Sequence, residues 1–143
     1  MTYKPYDTFT AVGISDQRQN VSGSSMPKAT PVKVTSTGDI DFVNVSVEAD
    51  AFAVNAITAE VIPNLTVGKV LTSGRLTNVT ITGNFGDPVF VSKTGGLTTT
   101  KPDPGVGGFV SGDYAILIGS IARNQDNPTL KDIVLNIGVT GQM

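Results

Sequence analysis

The share of β-branched residues constrains the fold more than any other feature of the sequence. Valine and threonine each occur 18 times and isoleucine 10 times, which is about a third of the 143 residues. Branching at Cβ restricts the side-chain rotamers and favours a pleated strand over a helix. The 16 glycines and 8 prolines fall mostly between the apolar runs, where they end strands. The composition therefore predicts an all-β fold.

The alternation of apolar and polar residues predicts where the strands lie. Residues 40–47 place three valines on one side of the chain, as a half-buried strand does. Residues 51–61 are compatible with a helix or a strand, and Pro63 ends either one. Further strands are predicted over residues 66–71, 76–82, 88–92, 108–110, 115–122 and 133–139. The turns between them are closely spaced, which indicates a small barrel or sandwich.

The first 38 residues differ from the remainder because they are polar and interrupted by turn residues. A segment with so few apolar residues cannot order itself alone. We therefore predict an extended N-terminal arm over residues 1–38 and a β-barrel domain over residues 39–143. Residues 8–14 and 29–34 alternate briefly, so the arm is expected to contain short strands that need a neighbour to pair with.

Apolar side chains on this polar arm are candidate contacts for a partner, because anchors of this kind often dock onto a neighbouring protein. The predicted partner-binding residues are Tyr3, Tyr6, Phe9, Val12, Ile14 and Met26. The alternative that they fold back onto their own barrel remains open.

Two short motifs match fragments of the serine acylases that recognise penicillin. Lys93-Thr94-Gly95 is one of them, and Ser25-Met26-Pro27-Lys28 has the Ser-x-x-Lys pattern. Those enzymes need the serine at the start of a buried helix, with the lysine one turn later. Here Pro27 lies between the two residues, and the third element, Ser-x-Asn, is missing. Such short matches arise by chance in a chain rich in Ser, Thr, Gly and Lys, so no catalytic residue is predicted and the chain is not expected to be an enzyme.

No cofactor or metal site is predicted either. The glycine run at residues 105–108 precedes a short predicted strand, whereas a phosphate-binding loop needs a helix after it. Asp39 and Asp41 share a strand face, and Asp87, Asp103 and Asp113 lie at turns. Aspartates at turns commonly cap their own backbone, although a calcium site with oxygen ligands stays an alternative.

Charge and composition exclude several partners. The net charge is −2 and the basic residues are scattered, so nucleic acid is not an expected partner. No apolar run is long enough to span a bilayer, and the N-terminus lacks the apolar core of a signal peptide, which predicts a protein made in the cytoplasm without a membrane partner. Histidine and cysteine are absent, which removes the commonest general base and metal ligands.

One stretch resembles a known group of proteins. The run from Gly86 to Pro102, "GDPVFVSKTGGLTTTKP", followed by the apolar strand "AILIGSIA" at residues 115–122, is similar to small β-barrel proteins of tailed-bacteriophage particles. The resemblance is to capsid decoration proteins, also called cement or head-fibre proteins, and to related appendage modules. It covers roughly residues 84–143.

The resemblance implies a virion protein that binds the major capsid protein or another virion protein and stabilises or ornaments the shell. It also implies a homo-oligomer, a trimer whose strands and arms complete one another's sheets. A tail or fibre adaptor of the same particle is one alternative. A carbohydrate-binding module is another, although three tyrosines and no tryptophan offer few aromatic platforms for sugars.

Overall fold

The structure is a computed structural model that describes residues 11–143, with side chains from residue 13 onward. Its elements are β1 (Ala11–Gln19), β2 (Pro31–Val34), β3 (Ile40–Phe42), α1 (Glu48–Ala53), β4 (Val54–Thr58), β5 (Val67–Leu76), β6 (Pro88–Val91), β7 (Leu97–Thr98), β8 (Tyr114–Arg123) and β9 (Lys131–Gln142). The single short helix within this range confirms the all-β prediction.

All nine strands belong to one antiparallel sheet. Its order is β3-β2-β4-β5-β9-β8-β6-β7, and β1 pairs with β5 outside this path. The order ends at two short strands that do not pair with each other, so the described strands do not close into a barrel. Of the two arrangements expected from the sequence, the open, sandwich-like one is present.

The sheet branches at β5, which has three partners. Its whole length pairs with β1. Val70 and Leu71 pair with β4, whereas Arg75 and Leu76 pair with β9. A strand has only two edges, so β4 and β9 share one edge of β5. The strands beyond β4 and those beyond β9 therefore diverge from this point.

A large core packs against both branches. Its buried members include Ile57 from β4, Leu71 from β5, Val89 from β6, and Ile116 and Ile118 from β8. The alternation in β8 shifts after Ile118, because the pairing with β9 changes register between Leu117 and Gly119. A Cβ on Gly119 would clash with the Val134 carbonyl oxygen, so this close approach requires glycine. We call this cluster the first core.

A smaller core lies on the opposite face of β4 and β5. It consists of Met26, Val32, Ile40, Ala56, Ile62 and Val70, with Phe42 packed against it. Neighbouring residues point to opposite faces of a strand, so Ala56 joins this second core while Ile57 joins the first. The sheet formed by β2, β4 and β5 is thus covered on both faces.

The described part of residues 1–38, predicted as an N-terminal arm, pairs with other strands of the same chain. β1 pairs with β5 of the same chain, and β2 lies between β3 and β4. Met26 exchanges two backbone hydrogen bonds with Ile62, each 2.9 Å long. The expected boundary at residue 38 falls in the turn that joins β2 to β3. Main-chain hydrogen bonds hold this polar segment in place. The prediction of an arm is based on the small number of apolar residues, which gives no information about such hydrogen bonds.

Two predicted strands are absent and one ambiguity is resolved. Residues 77–82 leave the sheet after β5, with Asn78 in a left-handed conformation at φ 55°. Residues 108–110 form a loop in which Gly108 has φ 87°. Both segments contain valines that favour strands, but neither forms a ladder with a described strand, and Val79 makes a single backbone hydrogen bond of 2.7 Å to Lys131 of β9. Residues 51–61, for which the sequence allowed a helix or a strand, contain both: the end of α1 is followed by β4.

Candidate functional site

The predicted partner-binding residues do not form one surface in the described structure. Tyr3, Tyr6 and Phe9 lie outside the described residues, as does the side chain of Val12. The side chain of Ile14 projects from β1 and is 68% exposed. Met26 is fully buried in the second core. As packed here, Met26 is part of the chain's own interior, and Ile14 is the described anchor that a partner can reach.

Ile14 stands on an edge strand that also carries charge. Asp16 and Arg18 form an ion pair at 2.6 Å, and Arg18 also donates a hydrogen bond to the Gly38 carbonyl oxygen. The pairing of β1 with β5 changes register between Ile14 and Ser15, which marks a bulge. Charges and bulges on an edge oppose the addition of a further strand. Ile14 therefore offers a side-chain contact on an edge that resists strand pairing.

The triplet at residues 93–95 is a structural brace. Lys93 Nζ donates to Asp113 Oδ2 at 2.6 Å, and the Val110 amide donates to the same oxygen at 2.9 Å. Burial acts to raise the pKa of Asp113, but these hydrogen bonds and the Lys93 charge outweigh it and hold the pKa below its ordinary value of 3.8. The pair fastens the turn after β6 to the loop before β8. This geometry supplies no activated nucleophile.

Lys28, the lysine of the Ser-x-x-Lys match, is also engaged in structure. Its Nζ donates to the carbonyl oxygens of Thr77 and Asn78 at 2.7 and 3.1 Å. Burial lowers the pKa of Lys28 below its ordinary 10.5, and the charge of Asp132 opposes that effect. The lysine therefore pins the irregular segment after β5 to the segment before β2.

Asp132 holds a third structural network. This buried carboxylate accepts hydrogen bonds from Arg75 Nη1 at 3.1 Å, the Asn78 amide at 3.0 Å and Asn124 Nδ2 at 2.9 Å. The donors come from β5, the segment after it and the loop before β9. With three donors on one carboxylate, the site is built to hold loops together and leaves little room for a ligand.

Three of the aspartates considered for calcium cap their own turns or strands. Asp87 accepts from the Asn84 amide, Asp39 from the Thr37 hydroxyl and Asp41 from the Phe42 amide. Over residues 11–143, no group of three or more His, Cys, Asp or Glu side chains could hold a metal ion. The glycines at 105, 107 and 108 have positive φ angles and shape a turn over the buried Phe109. Residues 109–113 after this run contain no helix.

A groove of about 500 Å³ lies between residues 27–30, 80–82 and 96–100. Ala29, Ile81 and Leu97 supply its apolar lining, and Lys28 is its charged residue. Six threonines complete the wall, at positions 30, 80, 82, 98, 99 and 100. Hydroxyl groups of this kind donate and accept hydrogen bonds but provide neither an acid nor a base near neutral pH. Sequence reasoning missed the groove because it joins three segments that are distant along the chain.

Large apolar side chains are exposed at several places that the sequence did not reveal, and the most exposed of them, apart from Ile14, lie in two places. Val61, Leu65 and Val67, which are 61, 65 and 62% exposed, lie at the start of β5 and in the turn before it. Leu65 has φ 61°, a backbone conformation that is costly for a leucine. We call these three residues the β5 patch.

The second place is α1, where Phe52 is 66% exposed. Its ring packs edge-to-face with the ring of Tyr114, with the ring centroids 6.0 Å apart. Burial, together with the charge and the hydrogen bond of Glu48, raises the pKa of Tyr114 above its ordinary 10.0. Tyr114 thus stays a neutral hydrogen-bonding side chain at physiological pH, and Phe52 presents an aromatic surface beside it.

Comparisons with known proteins return no relatives: no family model, no curated protein and no solved structure matches the chain. Within the described residues, no helix has the length and apolar character needed to cross a membrane.

Proposed function

We propose that the chain is a structural protein of a tailed-phage particle that binds the capsid surface as a decoration protein. One observation carries the proposal. Across residues 13–143, the buried ionisable groups take part in structural contacts, while several large apolar side chains are exposed. The choice of a phage particle depends on the resemblance of residues 86–102 to virion β proteins.

The use of the polar groups supports a role without chemistry. Lys33 pairs with Asp50, Arg75 with Asp132 and Lys93 with Asp113, at 2.6, 3.1 and 2.6 Å. In the part of the chain that the structure describes, every buried side-chain nitrogen and oxygen has a hydrogen-bond partner. Catalytic sites usually keep perturbed and incompletely satisfied groups in a cleft, and this arrangement favours stability instead.

The exposed apolar residues support binding to a larger surface. The β5 patch and Phe52 together resemble the apolar contacts from which protein interfaces are built. A repeating lattice presents the same modest contact many times, and links between copies turn it into strong overall binding. A decoration protein can therefore bind a shell tightly without any single deep pocket.

Cosedimentation of the purified full chain with capsid shells tests the proposal. Leu65→Ser and Val67→Ser remove the apolar contact of the β5 patch, and we expect at least about tenfold weaker binding. Val110→Ser, at an exposed valine outside the β5 patch, is the matched control and should bind as the unaltered chain does. Absence of binding by the unaltered chain would contradict the proposal.

The predicted arm contact needs its own variant. Deletion of residues 2–10 removes Tyr3, Tyr6 and Phe9 without touching a described strand. If the arm anchors bind the shell, the shortened chain will bind more weakly in the same assay. Binding that is unchanged would remove these three residues from the interface.

The groove favours one other candidate, a carbohydrate-binding module. Its six threonines could bond sugar hydroxyls, but none of its lining residues is aromatic, and sugars commonly stack on aromatic rings. A glycan array distinguishes the two: selective binding that is lost in Thr98→Val and Thr100→Val would favour this candidate over the decoration protein.

A further inference from the structure

Four strands of the described sheet, β1, β3, β7 and β9, have an edge without a pairing partner, and three of these edges resist the addition of another strand. β3 has three residues and β7 has two, so each offers few main-chain groups to a partner. β1 is longer, but it carries Asp16, Arg18 and a bulge. Short length, charge and bulges are the usual protections of an edge strand.

β9 supplies the fourth edge, and its protection is weaker. This strand has 12 residues and pairs with β8 along its length. Its other edge pairs with β5 only at Ile133 and Val134. No described strand pairs with that edge from Leu135 to Gln142. The stretch from Ile133 to Met143 contains neither a charged residue nor a proline, although two register shifts against β8 add twist.

The two faces of this part of β9 have different character. Leu135, Ile137 and Val139 are partly buried and pack against the first core. Asn136, Gly138 and Thr140 alternate with them and are exposed. A strand added beside β9 could therefore continue an apolar face on one side and a polar face on the other.

We propose that the edge of β9 from Leu135 to Gln142 pairs antiparallel with the same edge of a second copy of this chain. A two-fold axis near position 138 places odd-numbered residues opposite odd-numbered ones and even-numbered residues opposite even-numbered ones. The apolar faces of both copies therefore lie on one side of a continuous sheet. Because the stretch has no charge, self-pairing brings no like charges together. The inference goes beyond the proposed function, does not depend on the particle, and specifies a dimer in place of the trimer that the resemblance implies.

The connectivity favours a second copy over the chain's own N-terminal residues as the occupant. Leu76 of β5 pairs with Ala11 on one side and with Ile133 of β9 on the other. β5 thus stands between β9 and the point where the described chain begins.

Sedimentation velocity of the full chain over a range of concentrations tests the pairing. We expect a reversible dimer for the unaltered chain. In Asn136→Lys/Gly138→Lys, four lysines meet around the two-fold axis, and we expect dimerisation to weaken about tenfold or more. Gly138 can take a side chain, since a Cβ there meets nothing within 4 Å. Ser15→Lys/Gln17→Lys adds the same charges at the same spacing on exposed β1 and should dimerise normally.

A mixing experiment separates pairing from a folding defect. Asn136→Asp/Gly138→Asp should also be monomeric, because like charges again meet at the axis. An equal mixture of the lysine and aspartate variants should regain the dimer, since opposite charges then face each other. Recovery in the mixture cannot come from a misfolded chain.

The inference would be overturned by a monomer at all concentrations of the unaltered chain, by undiminished dimerisation of the lysine variant, or by a trimer, which a two-fold contact cannot produce. Loss of the dimer on deletion of residues 2–10 would also overturn it and would assign the contact to the N-terminal segment.

Discussion

The first and second cores of the molecule are held together in different ways. The first core gathers residues of several elements, including alternating residues of the long strands β8 and β9, whose pattern is evident in the sequence. The second core lies under a polar segment that contributes Met26 and is fastened by main-chain hydrogen bonds to residues about 40 positions away. The contrast shows that a segment poor in apolar residues can still be integral to a fold when its backbone pairs with a distant strand.

The largest expected loss of stability comes from the hydrogen-bond network of Asp132, next to the first core. Asp132→Ala removes the acceptor of three hydrogen bonds and leaves Arg75 and Asn124 without their carboxylate partner. We expect the free energy of unfolding to fall by about 4 kcal/mol. Urea denaturation measures the change. Asp126→Ala, at an exposed position in the neighbouring loop, should alter it by less than about 0.5 kcal/mol, and an equally small effect of Asp132→Ala would contradict the structural role of this network.

The next effect tests the second core directly. Met26→Ala leaves a cavity among Val32, Ile40 and Ile62, and we expect a loss of about 3 kcal/mol. Val21→Ala, in the same segment but partly exposed, should cost well under half of that. If Met26→Ala has little effect on thermal or urea unfolding, residues 20–30 are a loosely attached arm and the comparison between the cores fails.

The smallest expected effect is a change of stability with pH in the acid range. It concerns the ion pair between Lys93 and Asp113. The folded-state pKa of Asp113 lies below the ordinary 3.8, so its carboxylate stabilises the fold above that pH, and the contribution disappears as the pH falls through the lower folded value. The stability difference between the unaltered chain and Asp113→Asn should therefore shrink below about pH 4. Lys93→Met removes the Lys93 hydrogen bond and charge, which leaves burial stronger than the Val110 hydrogen bond and raises the pKa of Asp113, so the pH dependence should reverse. A difference that grows in acid would show that burial dominates the pKa.

The sequence predicts those elements whose side chains alternate against the first core. Residues 88–92, 115–122 and 133–139 were expected as strands and lie in β6, β8 and β9. Residues 79–82 have the same β-branched composition, yet they form no strand, because pairing partners decide strand formation as much as propensity does. The sequence around Met26 predicts a contact with a partner protein, because the neighbouring residues are polar. They do not reveal that Met26 exchanges backbone hydrogen bonds with the distant residue Ile62.

The candidate binding surfaces were less predictable than the fold. The absence of charge from Ile133 to Met143 is visible in the sequence, but only the pairing shows that β9 has a free edge there. Likewise, the β5 patch combines Leu65 in an unusual backbone conformation with two valines that a propensity argument would bury. Exposure is a property of the assembled sheet, and residue type alone does not determine it.

The most direct test of the proposed function is the copy number of this chain in purified phage particles, measured against the major capsid protein by quantitative mass spectrometry. A decoration protein predicts about one copy for each capsid subunit, or about one for every three, because it follows the lattice. A few copies in each particle would contradict decoration and indicate a tail or fibre adaptor. Complete absence from the particle would contradict a virion role altogether.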